Sequence, residues 1–265
     1  MLPDGMWRVT RPIAVMLVCA ILGLSEAAQA DCSTIADPID TDRPDSPDDS
    51  PTVPEGSLQI ENGLGLSRSN GVTSFDLPET RLRLGLRSCT ELLLDLPDYT
   101  HALGHGGLRG VTDIAPGLKH QFDGLPEPFQ LWAAFGVALP TGDRSIAGRG
   151  FHPYIQIPAS VDLWEGMTLA AQYLVTFHPG DVETAPEHQT SLDLEADLSD
   201  DLGLFAEYTG TYRPGQSPSN TADLGAAYRL TPHRQIDFLV GMGLNRAAPD
   251  WYFTIGYSLR FDQLF

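Results

Sequence analysis

Over its C-terminal two thirds the chain is built from short segments in which apolar and polar residues strictly alternate. In the last of them Phe253, Ile255, Tyr257, Leu259 and Phe261 fall on one face, and Thr254, Gly256, Ser258 and Arg260 on the other. A period of two marks a strand whose faces meet different surroundings. Here one face is large and aromatic, the opposite face small and polar, and the pattern recurs. A soluble sandwich gathers its large residues in a core. A membrane barrel turns them outward to lipid and keeps the small polar ones inside. The start of the chain separates the two.

Arg8 and Arg11 precede an apolar run from Ile13 to Leu24, and Ala28-Gln29-Ala30 follows as a small-x-small cleavage site. This is the layout of a secretory signal peptide, with an apolar run too short to span a bilayer. The residues before Cys19 and Cys32 lack the small-residue form of a lipid-attachment site. The expected organisation is a signal peptide over 1–30, an irregular periplasmic N-terminal arm over 31–56, and a transmembrane β-barrel over 57–265. The arm is rich in Asp, Pro, Ser and Thr and has no periodicity.

No later apolar stretch is long enough for a transmembrane helix, and mean hydropathy is slightly negative. A barrel escapes that test because only alternate residues face lipid. The formal net charge is −19. Asp4 and Glu26 cancel Arg8 and Arg11, so all of it belongs to the mature chain. Nucleic acid, which needs a basic footprint, is excluded as a partner. Two cysteines remain after processing, Cys32 and Cys89. In an exported protein such a pair favours a disulfide, worth about 3–4 kcal/mol for a loop of this length.

Twelve strand candidates follow the arm, so the expected fold is all-β, a single antiparallel up-and-down transmembrane barrel of about twelve strands. The connections around Ser88-Cys89, Trp164-Glu165-Gly166, Ser199-Asp200-Asp201 and Thr231-Pro232-His233 are tight. Those at His101–Arg109 and Thr141–His152 are longer and rich in Gly and Pro. Alternating short and long connections mark periplasmic turns and external loops. Cys32 and Cys89 then lie on the same side. Pro116 and Pro158 fall within strand candidates, where a closed barrel has no free edge, so bulges or shifted boundaries are expected there.

The stretch Thr41-Asp42-Arg43-Pro44-Asp45, with Ser50-Pro51, Val53-Pro54-Glu55-Gly56, Gln59 and Glu61-Asn62-Gly63, resembles the N-terminal signature of a bacterial outer-membrane barrel family. That family is named for the meta-pathway of phenol degradation, and its members are often labelled transporters. Gly110-Val111-Thr112-Asp113-Ile114 with Gly117-Leu118-Lys119 is similar to its G-x-x-D … G-x-K strand. Leu139-Pro140-Thr141-Gly142-Asp143 is similar to its P-T-G motif. The resemblance implies a porin-like barrel in the outer membrane of a Gram-negative bacterium. It also implies passage of small molecules, hydrophobic or aromatic compounds among them.

The face that would line the pore carries Glu61, Asp113, Asp193, Glu195, Asp197, Glu207, Asp223 and Asp237, with Arg81, Arg83, Lys119, Arg229 and Arg260. Such charge either makes a water-filled pore selective or pairs across strands and fills a narrow barrel. The acidic excess on the eighth and ninth strands, facing the basic second and fourth, predicts a field across the lumen. Asp42-Arg43-Pro44-Asp45 reads either as a plug or as a capped turn at the periplasmic mouth. An arginine between two carboxylates satisfies itself, which favours the turn.

His101 and His105 sit in a glycine-rich loop with no helix to align them, so no metal site is expected. There is no G-x-S-x-G elbow and no Ser–His pair on neighbouring strands, so the chain is not expected to be an enzyme or to need a cofactor. Aromatics at strand ends, Phe122, Phe177, Tyr212, Tyr228, Phe253 and Phe261, suit interfacial girdles. The expected partners are outer-membrane lipids, the barrel-assembly machinery, and a small-molecule substrate the sequence does not identify. The competing readings are a non-conducting structural or surface-interaction barrel and, for the fold, a periplasmic β-sandwich.

Overall fold

The computed structural model describes residues 38–87, 89–104, 107–179 and 184–265. The predicted signal peptide with its cleavage site, Cys32 and His105 lie outside the described residues. From Leu58 the chain runs as antiparallel strands. These are β1 (Leu58–Ser69), β2 (Val72–Gly85), β3 (Thr90–Asp95), β4 (Tyr99–Leu103), β5 (Arg109–Val111), β6 (Ala115–Gln121) and β7 (Phe129–Ala138). Then follow β8 (His152–Trp164), β9 (Met167–Thr176), β10 (Glu187–Ser199), β11 (Leu202–Tyr212), β12 (Ser219–Thr231), β13 (Arg234–Gly243) and β14 (Trp251–Phe261).

β14 pairs with β1 in register from Leu58↔Phe261 to Arg68↔Trp251, and β1 pairs in turn with β2. The ring therefore closes on twelve strands, with β4 and β5 outside it. Closure leaves no edge with unpaired backbone groups. β4 and β5 extend β3 and β6 across two short breaks without a change of register. Arg81 of β2 pairs with Asp95, and further along Leu77 pairs with Tyr99. The breaks, Leu96-Pro97-Asp98 and Thr112-Asp113-Ile114, lie side by side. Pro97 has no N–H to give the ladder. In its place Asp98 N donates to Thr112 Oγ1 at 3.0 Å, and Thr112 N donates to Asp98 O at 2.9 Å.

The expected sidedness holds. Leu192, Leu194, Leu204, Phe238, Val240 and Ile255 are exposed, while Asp193, Glu207, Asp237 and Ser258 between them are buried. Phe122, Tyr228 and Phe261 face outward near the end that carries the tight turns, and Phe177 and Tyr212 near the end that carries the loops. The final strand stops at Phe261, and the tail beyond it folds back so that Leu264 N donates to Gly56 O.

Of the bulges or shifted boundaries expected at the two prolines, no bulge forms at either, and the boundary is shifted at Pro116, which stands second in β6. At Pro158 the β7–β8 ladder skips from Leu131↔Ala159 to Ala134↔Gln156 in an unchanged register. The β6–β7 ladder begins at Gly117, one residue beyond Pro116. A short gap in the ladder accommodates the missing donor with no need for an extra residue.

Candidate functional site

The lumen is occupied by the chain's own N-terminal segment. Ile39 is fully buried at the turn end and donates its N–H to Pro232 O. From there the arm crosses the interior and touches walls far apart in the ring. Ser46 N donates to Glu207 Oε2 on β11, Asp48 N to Gln172 Oε1 on β9, and Val53 N to Glu91 Oε2 on β3. The capped turn at the mouth, favoured from sequence, is therefore corrected. Arg43 does not close on Asp42 and Asp45 but reaches Glu79 at 2.8 Å, with Asp237 3.8 Å away. An arm without regular structure carries unpaired backbone donors, and the inward amides and carboxylates of the strands satisfy them.

Small residues make room for it. Gly63 of β1 and Gly256 of β14 are cross-strand partners. A Cβ on Gly63 would lie 2.2 Å from the Arg43 guanidinium. At the turn end a Cβ on Gly85 would lie 2.0 Å from Pro54 O. The resemblance motifs acquire a physical reading here: Asp42-Arg43 and Glu61-Asn62-Gly63 belong to one contact, in which Asp42 N donates to Glu61 Oε1 at 3.3 Å.

The centre of this contact is a buried charge cluster. Arg83 is fully buried and donates Nε to Glu91 Oε1 at 3.0 Å and Nη1 to Glu61 Oε1 at 3.0 Å. Its Nη1 also donates to Ser50 Oγ, and its Nη2 to Pro51 O, so the arm completes its fork. Lys119 Nζ donates to Asp42 Oδ1 at 2.6 Å and to Ser50 O at 2.9 Å. Arg81 bridges Asp95 of β3 and Asp48 of the arm, both at 2.7 Å. Burial alone would raise Asp42, but Arg83, Lys119 and Arg81 outweigh it and hold its carboxyl well below the usual range.

The opposite wall is acidic. Asp193 and Glu195 of β10, Glu207 of β11, Asp223 of β12 and Asp237 of β13 point inward, and the arm sets Asp45 and Asp49 against that side. Tyr252 donates to Asp223 at 2.6 Å. Neither oxygen of Asp193 has a hydrogen-bond partner. The arm thus supplies counter-charges to the basic wall and adds two carboxyl groups to the acidic one. Burial, and then the Asp193 and Glu195 carboxylates, push Asp45 well up. Burial and Asp40 lead the effects that raise Asp49 to about 7.

Of the remaining residues placed on the pore from sequence, Arg229 and Arg260 lie at the turn end. Arg229 donates to Ile39 O and to Asp200 O, and Arg260 to Asp262 Oδ1. Asp197 is exposed near the same end. Asp113 sits in the β5–β6 break and takes another part. Its Oδ1 accepts the N–H groups of Thr141 and Gly142 at 2.9 and 2.8 Å, while Thr141 Oγ1 accepts Ile114 N. The G-x-x-D and P-T-G motifs form one clasp between the break and the loop after β7. The pore residues read from sequence did not include the arm's Asp42, Asp48 and Ser50 or the wall's Gln59, Glu91 and Gln172, although Asp42, Ser50 and Gln59 stand in the family signature. A signal was present: three cations at the basic wall needed anions, and the arm is rich in them.

Above the arm, a cavity of about 280 Å³ remains, lined among others by Arg43, Asp48, Glu79, Arg81, Asp95 and Asp98. Leu96 of the break lines it too.

The model of the family described as "Putative MetA-pathway of phenol degradation" matches residues 41–261. No curated protein matches the chain by sequence. Among solved structures, the COG4313 outer membrane channel from Pseudomonas putida F1 superposes with a TM-score of 0.64 at 16% identity, over 82% of this chain and 100% of that one. The NanC porin gives 0.55 at 8% identity, over 76% and 98%. The KdgM porin gives 0.54 at 10% identity, over 77% and 99%. At these identities the likeness is one of fold.

Proposed function

The chain belongs to the family described as "Putative MetA-pathway of phenol degradation", and from that premise we propose that it is a passive outer-membrane channel for small molecules whose N-terminal arm forms the constriction. The turn end, where the arm enters, faces the periplasm, and the loop end faces outward. The observation that carries this reading is that a separable segment fills the lumen and is held at its centre by polar contacts: Asp42 with Lys119, Asp48 with Arg81, and Ser50 with Arg83. A barrel of about eight strands is filled by its own wall side chains, whereas twelve strands leave room for a segment of chain. The similar proteins described as channels and porins support the same reading.

The cavity above the arm sets what is admitted. Arg43 and Arg81 present guanidinium groups to it, and Glu79, Asp95 and Asp98 present acceptors. A guanidinium plane stacks on an aromatic face and a carboxylate accepts a ring hydroxyl. A small hydroxylated aromatic compound meets both requirements. Refolded full-length protein in a planar bilayer tests the channel. Stepwise ion current that a phenolic solute reduces in a concentration-dependent manner is expected. No current under any voltage or salt overturns it in favour of a closed structural barrel.

A further inference from the structure

One group of side chains plays no part in holding the arm by ion pairs. Asp45 and Asp49 of the arm and Glu195 of β10 each bring a carboxylate oxygen within 4.8 Å of the others. Asp193 lies two residues before Glu195 on the same inward face, 0% exposed, with both oxygens lacking a hydrogen-bond partner. Its charge bears on both Asp45 and Asp49 of the arm. Its cross-strand partner is Glu207, which holds the N–H of Ser46, the residue next to Asp45. Among the described residues none of these four carboxylates is salt-bridged. The cation nearest in effect to Asp49 is Lys119, which is committed to Asp42 and Ser50.

Three carboxylates within 4.8 Å of one another, with the buried Asp193 beside them, do not all stay ionised in a closed interior unless a counter-charge joins them. We propose that Asp45, Asp49 and Glu195, with the unpartnered Asp193 beside them, form a divalent-cation site that clamps the arm to β10. The donors are all hard oxygens, which selects calcium or magnesium over softer metals. Two come from an irregular segment and two from a strand, an arrangement that suits the longer and more variable bonds of calcium better than a strict octahedron. The arm would then be held on both sides of the lumen. Ion pairs hold it to the basic wall at Arg81, Arg83 and Lys119, and a bound cation holds it to the acidic wall.

Calorimetric titration of calcium chloride into refolded full-length protein tests this, in a neutral detergent without anionic lipid, near pH 7.5 and at constant ionic strength. Saturable binding of about one calcium per chain is expected, in the submillimolar range typical of extracellular sites, about 0.1–1 mM. It should raise the temperature at which the compact form in unheated SDS gels is lost. The double variant Asp193→Asn/Glu195→Gln should lose binding at least tenfold. Without calcium that variant should be no less heat-resistant than the parent, because a cluster of repelling carboxylates has been relieved. Absence of saturable binding in the parent overturns the proposal, as does binding that survives in the variant. A calcium effect matched by potassium at equal ionic strength does the same. None of these readouts depends on ion current, so the site and the channel reading fail separately.

Discussion

Lys119 of the barrel wall and Asp42 of the arm form a 2.6 Å ion pair from which solvent is wholly excluded on both sides. One partner belongs to the ring and the other to the segment threaded through it, so this contact couples the two. Lys119→Met leaves a buried carboxylate short of one counter-charge, a change that costs about 3–5 kcal/mol when a buried pair is broken. The double variant Asp42→Asn/Lys119→Met should cost less than the sum of the singles, because no orphaned charge remains. Urea unfolding of the refolded protein measures both. Additive losses would show that the pair is not coupled.

Proton binding acts on the two sides of the arm with opposite sign. Asp42 is held low, so its contribution is complete above the unfolded value of about 3.9 and is lost only as the pH falls through its folded value. Asp45 and Asp49 are raised, Asp49 to about 7. The docked arm therefore binds more protons than a released one between about pH 4 and 7, and its docking weakens as the pH rises through that window. With divalent cations chelated, a spin label on a Thr52→Cys variant should become more mobile between pH 5 and 7.5. A pH-independent spectrum would contradict the assignment.

Asp113→Ala removes the acceptor of two backbone N–H groups, those of Thr141 and Gly142. Leaving such donors without a partner costs about 1–3 kcal/mol. The loss should appear as faster proteolytic cleavage within 139–151, with ion current little changed. Unchanged cleavage would mean that the clasp is not what orders this loop.

Gly85→Val places a side chain where Pro54 O stands, 2.0 Å from the nearest position of a Cβ. The neighbour is backbone and cannot turn aside, so the foot of the arm must move. Overpacking of this kind costs about 1–3 kcal/mol. A larger and noisier single-channel current than that of the parent is expected. An identical current would show that the arm does not limit flow.

Cys89 lies buried in the β2–β3 connection, at the end where the arm enters, and Cys32 precedes the described part of that arm. We expect the two to be joined, fixing the arm's start to the barrel base. Denatured, unreduced protein without its signal peptide should then show no thiol reactive to maleimide, and two after reduction. Two reactive thiols before reduction would refute the bridge.

Alternation by itself determined the strands of the ring, their inward and outward faces and the even count, because the period of two is set by local geometry and each strand carries its own copy. It did not show β4 and β5, which place His101 in a strand where the sequence reads as a loop. The β8–β14 meander was legible for that reason, and so were Glu61, Arg81, Arg83 and Lys119 as interior residues. Pro158 misled because the ladder can skip two pairs without shifting register, and a rule drawn from single residues cannot see the neighbouring strand. Only the tertiary structure decided where the arm goes. Read locally, Asp42-Arg43-Pro44-Asp45 satisfies its own charges. In the closed ring, Arg83 and Lys119 arrive from strands far apart in sequence and are shut away from water, and they draw Asp42 and Ser50 inward. Desolvation makes that pairing compelling, and it exists only once the barrel has closed.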